Sequence, residues 1–310
     1  MEDHIMKPHV ILAGGTGFVG QALTPALLSQ EYEVVIFSRQ PSPRNDGATE
    51  VQWDGKNAGD WAELLEGAEA IINLTGKSVN CRPTEQNKRE ILESRVNSVR
   101  ALGDAIERSS IPPKVFIQAS GVGVYEDRGN AWSDESAPHG SDFMAQVCDQ
   151  WEGAFNCIDA PNTRKVVFRL GVVLGPNGGF LKLLGPLTRW FLGGHIGNGC
   201  QYISWLHIDD LIGMFLRAID DRQITGVFNS CAPNPVTNKV FMRDLRHSLH
   251  RPWSPPVPVF AARIGSALLG SNADLALVSQ RCTPKHFLEN GFQFAFPELR
   301  PALDNIYSKP

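Results

Sequence analysis

The first half of the chain alternates short runs of β-branched and other apolar residues with longer segments whose apolar positions recur near the helical period. Such alternation is typical of βαβ units, in which a helix connects two parallel strands. The apolar runs predict strands at 10–13, 33–38, 50–53, 70–74, 114–120 and 165–170. The segments between them predict helices at 18–30, 60–66, 84–109 and 143–158. We therefore expect an α/β fold on a doubly wound parallel sheet.

The pattern changes after about residue 175, where glycine and proline clusters break it into short pieces. Helix-like segments follow at 209–219, 239–250 and 259–269. We expect residues 8–175 to form the main domain, with a further contribution to its sheet from about 200–232. The remainder, 176–310, is expected to form mostly a smaller α+β cap over one end of the sheet, with a tail domain at about 255–305.

Composition is that of an ordinary globular protein, with 42% hydrophobic and 20% charged residues in a chain of 310. The net charge of −4 gives no reason to expect a nucleic-acid or anionic-membrane partner. No uncharged apolar run reaches the about eighteen residues that a bilayer span needs. Residues 1–8 lack the features of a secretory or transit peptide, so we expect a cytosolic protein, although some mitochondrial import signals would escape this test.

The six cysteines are scattered, with no C-x-x-C pair and no histidine at ligand spacing. This arrangement argues against a structural metal site and favours cysteines that pack as small apolar residues in a reducing compartment.

The stretch ILAGGTGFVGQAL, at 11–23, ends an apolar strand in the pattern Gly14-x-x-Gly17-x-x-Gly20 and leads into a helix. In a strand–turn–helix unit these glycines allow a tight turn, close approach of the backbone to a pyrophosphate, and close packing of helix on strand. The phosphates would lie at the N-terminus of the helix that starts near Phe18. The motif therefore predicts dinucleotide binding; the alternative is a purely structural turn.

The end of the second strand distinguishes between the two nicotinamide cofactors. An acidic residue there would bind the ribose 2′-hydroxyl of NAD, whereas this strand ends in Ser38-Arg39 and has no carboxylate before Asp46. Serine can donate a hydrogen bond to a phosphate, and arginine offers a planar charged fork. NADP(H) is therefore the expected cofactor; the alternative is that Arg39 is an ordinary surface residue.

Several motifs in order resemble the extended short-chain dehydrogenase/reductases: the glycine turn, Asn73-Leu74-Thr75-Gly76, Ser94-Arg95, and Ser120 with Tyr125. Within that superfamily, four further stretches resemble the family 39U epimerase-like proteins, also called cell-division-inhibitor-like or SulA-like. They are VCDQWE at 147–152, RLGVVLG at 169–175, SWLHIDDL at 204–211 and PKHFLENGFQFAFPEL at 284–299. The resemblance extends over nearly the whole chain.

The resemblance implies a Rossmann-type NADP(H)-binding domain followed by a smaller C-terminal α+β substrate-binding cap. Ser38 and Arg39 would bind the adenosine 2′-phosphate, and Arg95 and Val172 would lie near the nicotinamide half. The pyrophosphate would be held by Gly14, Gly15, Thr16, Gly17, Phe18, Val19 and Gly20. The cofactor ribose would be lined by Asn73, Leu74, Thr75 and Gly76.

The usual catalytic apparatus is not carried over. This superfamily normally pairs Tyr and Lys as Y-x-x-x-K, so that the lysine lowers the tyrosine pKa and a proton can be transferred. Alignment on Glu152 places Met144 at the Tyr position and Cys148 at the Lys position. Neither residue can supply the missing function, and both are expected to pack as apolar side chains.

Three other residues are candidate catalytic groups. Tyr125 is expected to point into the cleft with Ser120 beside it, as a proton donor or a substrate hydrogen-bond partner; without a nearby cation it would be a poor base. The alternative is that its ring packs beneath the cap. His207 can transfer a proton near neutral pH, but it can also be a structural residue that caps the next helix or binds Asp210. Asp209 or Asp210 is the expected helix N-cap.

Two functions remain open from the sequence. The first is an NADP(H)-dependent oxidoreductase or epimerase that acts on an unknown small polar substrate between the main domain and the cap. The second is a regulatory or sensor protein that binds NADPH but has lost most of the catalytic apparatus. A homodimer through the 84–109 and 143–158 helices is plausible for this superfamily.

Overall fold

The computed structural model describes residues 8–176, 178–268 and 270–308. Residues 1–7, on which the prediction about targeting signals depends, lie outside this part of the chain, as does the last residue of the predicted 259–269 helix.

The centre of the molecule is a seven-stranded sheet in the order β3-β2-β1-β4-β5-β7-β11. All of its strand pairs are parallel, as the alternating pattern predicts. The order reverses between β1 and β4, and in open α/β sheets ligands bind at the carboxyl ends of the strands beside such a reversal. The strands are β1 His9–Ala13, β2 Glu33–Ser38, β3 Thr49–Gln52, β4 Ala70–Asn73, β5 Val115–Gly121, β6 Trp132–Ser133, β7 Arg164–Leu170, β8 Val172–Leu174, β9 Tyr202–Ile203, β10 Trp205–His207, β11 Gly226–Ser230, β12 Val236–Thr237 and β13 Arg281–Cys282.

Helices cover both faces of this sheet, so its central strands are buried on both sides and are almost continuously apolar. On one face, α1 and α5 pack with the strands around Leu23, Leu27 and Phe215. On the other, α2 and α3 pack around Leu102, Trp151 and Phe155. The helices are α1 Phe18–Ser29, α2 Glu85–Arg108, α3 Phe143–Asn156, α4 Gly179–Arg189, α5 Ile208–Asp220, α6 Asn238–Ser248, α7 Val259–Leu268, α8 Lys285–Glu289 and α9 Leu299–Ser308.

The second half adds a smaller cap in which α4, α6 and α9 enclose a separate apolar cluster around Phe241, Leu245 and Leu303. Of residues 200–232, only β11 joins the large sheet, because β9 pairs with β12 and β10 pairs with β8. Three helices after residue 176, α4, α8 and α9, were not predicted. In α4, glycines begin the helix and Pro186 lies inside it. Residues Asp60–Leu65 form a 3₁₀ helix where the pattern predicted an α-helix at 60–66.

Within the residues that the structure describes, no helix combines the length and the apolar character needed to cross a bilayer.

Candidate cofactor site

The turn between β1 and α1 uses each of its glycines differently. Gly14 has φ of +75°, a left-handed conformation that disfavours other residues, and a Cβ there would lie 3.0 Å from Thr75 Cα. A Cβ at Gly15 would lie 2.8 Å from Leu12 Cβ, and one at Gly20 would lie 2.3 Å from the Gly15 carbonyl oxygen. Three of the glycines are therefore required by the packing of the turn itself.

Gly17 is the exception. Its backbone is extended, with φ of −77° and ψ of 176°, and the nearest atom to a Cβ there would be the Gly14 carbonyl oxygen at 3.5 Å, an ordinary contact. Gly17 is also the N-cap of α1, and no side chain in the described part of the chain caps this helix. The first N–H groups of α1 therefore face a site with open space and a positive helix end, which is suited to an anion.

Thr16 and Phe18 flank Gly17. Thr16 is exposed, and its carbonyl oxygen accepts a hydrogen bond from Gln21 Nε2 at 2.9 Å. The Phe18 ring packs beside the backbone that leads into α4, where a Cβ at Gly178 would lie 2.0 Å from Phe18 Cδ2. The ring therefore fixes the turn against the segment that precedes α4.

A cavity of about 650 Å³ opens at the end of β2, beside the turn. Its lining includes Thr16, Ser38, Arg39 and Arg44. Ser38 is largely buried and its Oγ accepts a hydrogen bond from Gln40 N at 3.3 Å, whereas Arg39 is exposed. The two residues predicted for the 2′-phosphate thus border one cavity.

Arg44 was missed by the sequence analysis because it lies in a proline-rich loop. Its Nη1 is 3.0 Å from Glu50 Oε1 and its Nε is 3.0 Å from Asp46 Oδ1. Hydrogen bonding to Asp46 is the main reason that the pKa of Arg44 lies above its ordinary value and that of Asp46 below it. The two ion pairs place a second guanidinium in the cavity wall.

The segment after β4 packs against the glycine turn. Asn73 is fully buried: its Nδ2 donates to Gln118 Oε1 at 2.9 Å and to Ser98 Oγ at 3.2 Å, and its Oδ1 accepts from Thr75 N at 3.0 Å. The Asn73 side chain thus holds the segment in place through partners within the protein, and its place beside the cofactor ribose stays a prediction. Leu74, Thr75 and Gly76 are at least partly accessible.

Arg95 lies beneath Gly76 and does not extend into open space. Its Nη1 donates to Lys77 O at 2.9 Å and to Ile91 O at 3.0 Å, and its guanidinium lies 4.9 Å from the Trp151 ring centroid. Burial lowers the pKa of Arg95 below its usual value. Arg95 thus supports the 76–77 backbone. Val172 is half-buried at the start of β8, where its N–H donates to Ser204 O.

Ser120 and Tyr125 belong to one buried polar network. Ser120 Oγ donates to Glu152 Oε1 at 2.6 Å. Arg169 donates to the same carboxylate through Nε at 3.0 Å and Nη2 at 2.8 Å, and to Tyr125 Oη through Nη1 at 2.8 Å. The Tyr125 hydroxyl in turn donates to Asn229 Oδ1 at 2.7 Å.

This geometry corrects two expectations about Tyr125. The residue is 1% exposed, so it does not point into an open cleft, and a cation, Arg169, does contact it. Burial nevertheless raises the pKa of Tyr125 well above 10, because it outweighs the opposing effect of Arg169. The phenol is a neutral hydrogen-bonding group at physiological pH and cannot serve there as a base.

Met144 and Cys148 lie on α3 against the loop that follows β5. A Cβ at Gly123 would lie 3.5 Å from Met144 Cβ, and one at Gly121 would lie 3.7 Å from Cys148 Sγ. Burial raises the pKa of Cys148 to about 11, with the charge of Glu152 adding to the shift. The thiol is therefore protonated and packed as an apolar side chain, in agreement with its expected behaviour.

His207, the third candidate catalytic residue, is 1% exposed. Its Nδ1 accepts a hydrogen bond from Asp209 N at 3.1 Å as the N-cap of α5, and its ring stacks on Phe296 with centroids 4.0 Å apart. The expectation that Asp209 or Asp210 caps this helix is therefore wrong. Asp210 instead accepts from Ala295 N and Phe296 N at 2.7 and 3.1 Å, which joins α5 to the tail.

The Rossmann-type sheet and the glycine turn agree with what comparison with known proteins shows. Residues 10–230 match the NAD dependent epimerase/dehydratase family, and residues 257–306 match a domain of unknown function, DUF1731. The chain belongs to the NAD dependent epimerase/dehydratase family.

Relatives of similar length show which members of the family this chain is similar to. The chain is 36% identical over 300 residues to epimerase family protein YfhF of Bacillus subtilis, covering 96% of this chain and 97% of that protein. It is 35% identical over 302 residues to human epimerase family protein SDR39U1, covering 96% and 99%. A crystal structure of human SDR39U1 (isoform 2) with NADPH superposes with a TM-score of 0.88 at 34% identity, covering 97% of this chain and all of that one. The predicted resemblance to the family 39U proteins is thereby confirmed.

Proposed function

We propose that this protein binds NADP(H), with the pyrophosphate at the N-terminus of α1 and the 2′-phosphate in the cavity at the end of β2. The observation that carries the proposal is the geometry of Gly17. Among the four glycines of the turn, it is the one whose missing Cβ is not required by the packing of the protein. Its absence leaves room beside uncapped N–H groups, where a phosphate binds readily.

The charges at the end of β2 favour the phosphorylated cofactor. Arg39 and Arg44 both line the cavity, and Ser38 adds a hydroxyl, while no acidic residue follows β2 directly. Glu50 also lines the cavity, but its carboxylate already accepts hydrogen bonds from Arg44 Nη1 and Ser42 N, both at 3.0 Å. Guanidinium groups bind phosphate in two-point hydrogen bonds and favour it over a ribose hydroxyl. The NADPH in the crystal structure of the human relative supports the same assignment.

We further propose that the bound cofactor serves mainly as a structural ligand or redox signal, so that the protein is an NADPH-binding regulatory or sensor protein. When bound, the nicotinamide can donate or accept hydride, and turnover then needs a group that moves a proton. Met144 and Cys148 align with the positions of the usual catalytic Tyr and Lys and cannot replace them. The Tyr125 hydroxyl is already hydrogen-bonded to Asn229 and Arg169. The residues proposed to bind the cofactor are therefore all present, whereas the residues that usually transfer the proton are not.

One observation favours the second candidate, an NADP(H)-dependent oxidoreductase or epimerase for a small polar substrate. Ser120 lies near the carboxyl end of β5 and connects through Glu152 and Arg169 to Tyr125. If a substrate displaced part of this network, Ser120 and Tyr125 would be its hydrogen-bond donors. Under either function we propose that the cofactor-binding domain extends over 8–175 plus β11. We propose that the cap forms the other side of the cleft in which a substrate would lie.

Calorimetry with NADPH and NADH tests the binding proposal. Wild-type protein should bind NADPH much more tightly than NADH. Arg39→Ala should lose about tenfold to a hundredfold in NADPH affinity, the value of a hydrogen bond to a charged group, with little effect on NADH. Arg222→Ala, an exposed arginine at the far end of the sheet, is the matched control. An unchanged preference in Arg39→Ala would contradict the assignment of the 2′-phosphate.

Absorbance at 340 nm distinguishes the two functions. With a broad panel of carbonyl compounds, a regulatory protein should show no consumption of NADPH in wild type or in Tyr125→Phe. Consumption by wild type that is abolished in folded, NADPH-binding Tyr125→Phe would establish the enzyme instead.

A further inference from the structure

Two stretches of the chain that extend into the cap contain no acidic residue, although the chain as a whole has a net charge of −4. Residues 160–208 include Lys182 and Arg189, and residues 245–273 include Arg246, Arg251 and Arg263, but neither segment contains an Asp or Glu. The structure brings the two segments together, because Arg251 Nε donates to Arg189 O at 2.9 Å. The chain is therefore acidic overall but has basic side chains grouped where these two stretches meet.

Large apolar side chains project from the same place. Trp190, Phe191 and Leu192 follow α4 and are 80%, 51% and 60% exposed, and Trp253 on the adjoining segment is 63% exposed. The Arg251 guanidinium lies 5.2 Å from the Phe191 ring centroid, so charged and aromatic groups are interleaved. We call these four apolar residues together with Arg189 and Arg251 the aromatic–basic face.

The apolar surface continues along the chain from this face. Ile196 pairs with Val257 as a parallel bridge, and Val257 N donates to His195 O at 2.8 Å. The paired segments lead into α7, none of whose described residues is buried. Phe260, Ile264 and Leu268 are spaced four residues apart and therefore form one exposed apolar stripe on that helix.

A basic cavity adjoins the aromatic–basic face. It measures about 560 Å³, and its lining includes His247, His250, Arg251 and Arg300. Among the described lining residues the one carboxylate is that of Asp304, which already accepts hydrogen bonds from Ser248 Oγ at 2.6 Å and Arg300 Nε at 3.0 Å. The cavity is therefore suited to a phosphate group, and it lies directly beside Trp253 through Pro252.

From these observations we propose that the aromatic–basic face docks on the surface of an anionic phospholipid bilayer, with a headgroup phosphate in the basic cavity. Monomeric proteins rarely expose so many large apolar side chains together. Tryptophan prefers the level of the headgroups, and nearby Lys and Arg are attracted to anionic lipid. A second copy of the chain fits less well, since a two-fold interface would place Arg189 and Arg251 against the same residues of the other copy, and the aromatic–basic face as defined contains no acidic residue.

Flotation with vesicles tests the proposal on the full chain. The protein should float with vesicles of phosphatidylcholine that contain about one-third phosphatidylglycerol, should not float with phosphatidylcholine alone, and should be released by high salt. Trp190→Ser should weaken binding roughly tenfold through loss of apolar burial, and Arg300→Gln about fivefold. Ile111→Ser changes another exposed apolar residue, 64% exposed against 80% for Trp190, on the main domain and should have no effect.

A second measurement does not depend on variants. The tryptophan emission of wild type should shift to the blue with anionic vesicles and should be quenched by lipids brominated near the headgroup. NADPH affinity should be unchanged in Trp190→Ser, which shows that the variant is intact.

Four results would overturn the proposal. They are absence of flotation, equal binding to neutral vesicles, full competition by soluble glycerol phosphate, and a solution dimer that Trp190→Ser dissociates. The third would leave a site for free phosphate, and the fourth would make this face an interface between copies of the chain.

Discussion

Arg169 and Glu152 form a two-point ion pair in the interior of the protein, with Nε to Oε1 at 3.0 Å and Nη2 to Oε2 at 2.8 Å. Their side chains are only 4% and 5% exposed. Burial opposes the charge of Arg169, but hydrogen bonds to Glu152 and its charge outweigh burial and hold the pKa of Arg169 above its ordinary value. The pair joins α3 to β7 and orients both Ser120 and Tyr125.

Glu152→Gln should strongly destabilise the protein. The substitution keeps the side-chain shape but leaves the Arg169 charge buried without a partner, which costs about 3 to 5 kcal/mol in comparable cases. Chemical denaturation followed by circular dichroism measures this change. Glu85→Gln is the control, because its pair with Lys88 is at the surface, where solvent screens the charges, and should contribute little to stability. Equal effects of the two substitutions would show that the buried pair has no special role.

Tyr125→Phe should reduce stability without changing cofactor affinity. The variant loses a hydroxyl that accepts from Arg169 and donates to Asn229, which leaves buried polar groups unsatisfied at a cost of about 1 to 3 kcal/mol. Denaturation and NADPH titration of the same preparation measure the two effects. A large loss of NADPH affinity with normal stability would instead place the phenol in contact with the cofactor.

The buried thiol of Cys148 should make stability fall at alkaline pH. Its pKa is raised from 9.0 to about 11 in the folded state, so between these values the unfolded chain loses the proton first. Its contribution to stability is therefore fully present below pH 9 and is lost as the pH rises towards 11, by about 2 to 3 kcal/mol. Cys148→Ala should flatten this part of the curve relative to wild type. Cys157→Ala, which removes an exposed thiol, is the control. If stability falls with pH in Cys148→Ala as steeply as in wild type, the loss is not due to the Cys148 thiol.

The sequence could predict the sheet because the strands are buried on both faces and leave continuous apolar runs. The helical period of apolar positions located α2, whose N-cap Thr84 and last residue Arg108 lie within one residue of the predicted ends. The cap was harder to predict, because α4 begins at a glycine and contains Pro186, and both residues ordinarily indicate the end of a helix.

The cofactor end of the site was predicted better than the catalytic end. Gly15 and Gly20 are required by contacts with Leu12 and Gly15, which are local in sequence, whereas Arg169 contacts Glu152 and Tyr125 across long separations. One signal was present: Arg169 is a charge within the apolar strand KVVFRL, and a buried charge requires a partner. Arg44 gave no comparable signal, since its place in the cavity depends on Asp46 and Glu50.

Substitution of the turn glycines separates packing from ligand binding. Gly20→Ala should destabilise the protein, because its Cβ would lie 2.3 Å from the Gly15 carbonyl oxygen and the backbone would have to move. Gly17→Ala should change stability by less than about 1 kcal/mol, because its conformation suits alanine and its Cβ meets nothing closer than 3.5 Å. Thermal unfolding without cofactor measures both effects, and equal destabilisation would contradict the assigned roles.

The most direct test of the proposed pyrophosphate site is calorimetric titration of NADPH into wild type and into folded Gly17→Ala. If the space beside Gly17 receives the pyrophosphate, wild type should release heat on binding, and the added methyl group should reduce affinity by about tenfold or more. Binding of NADPH to Gly17→Ala with the affinity of wild type, or no binding to well-folded wild type, would contradict the proposed cofactor site.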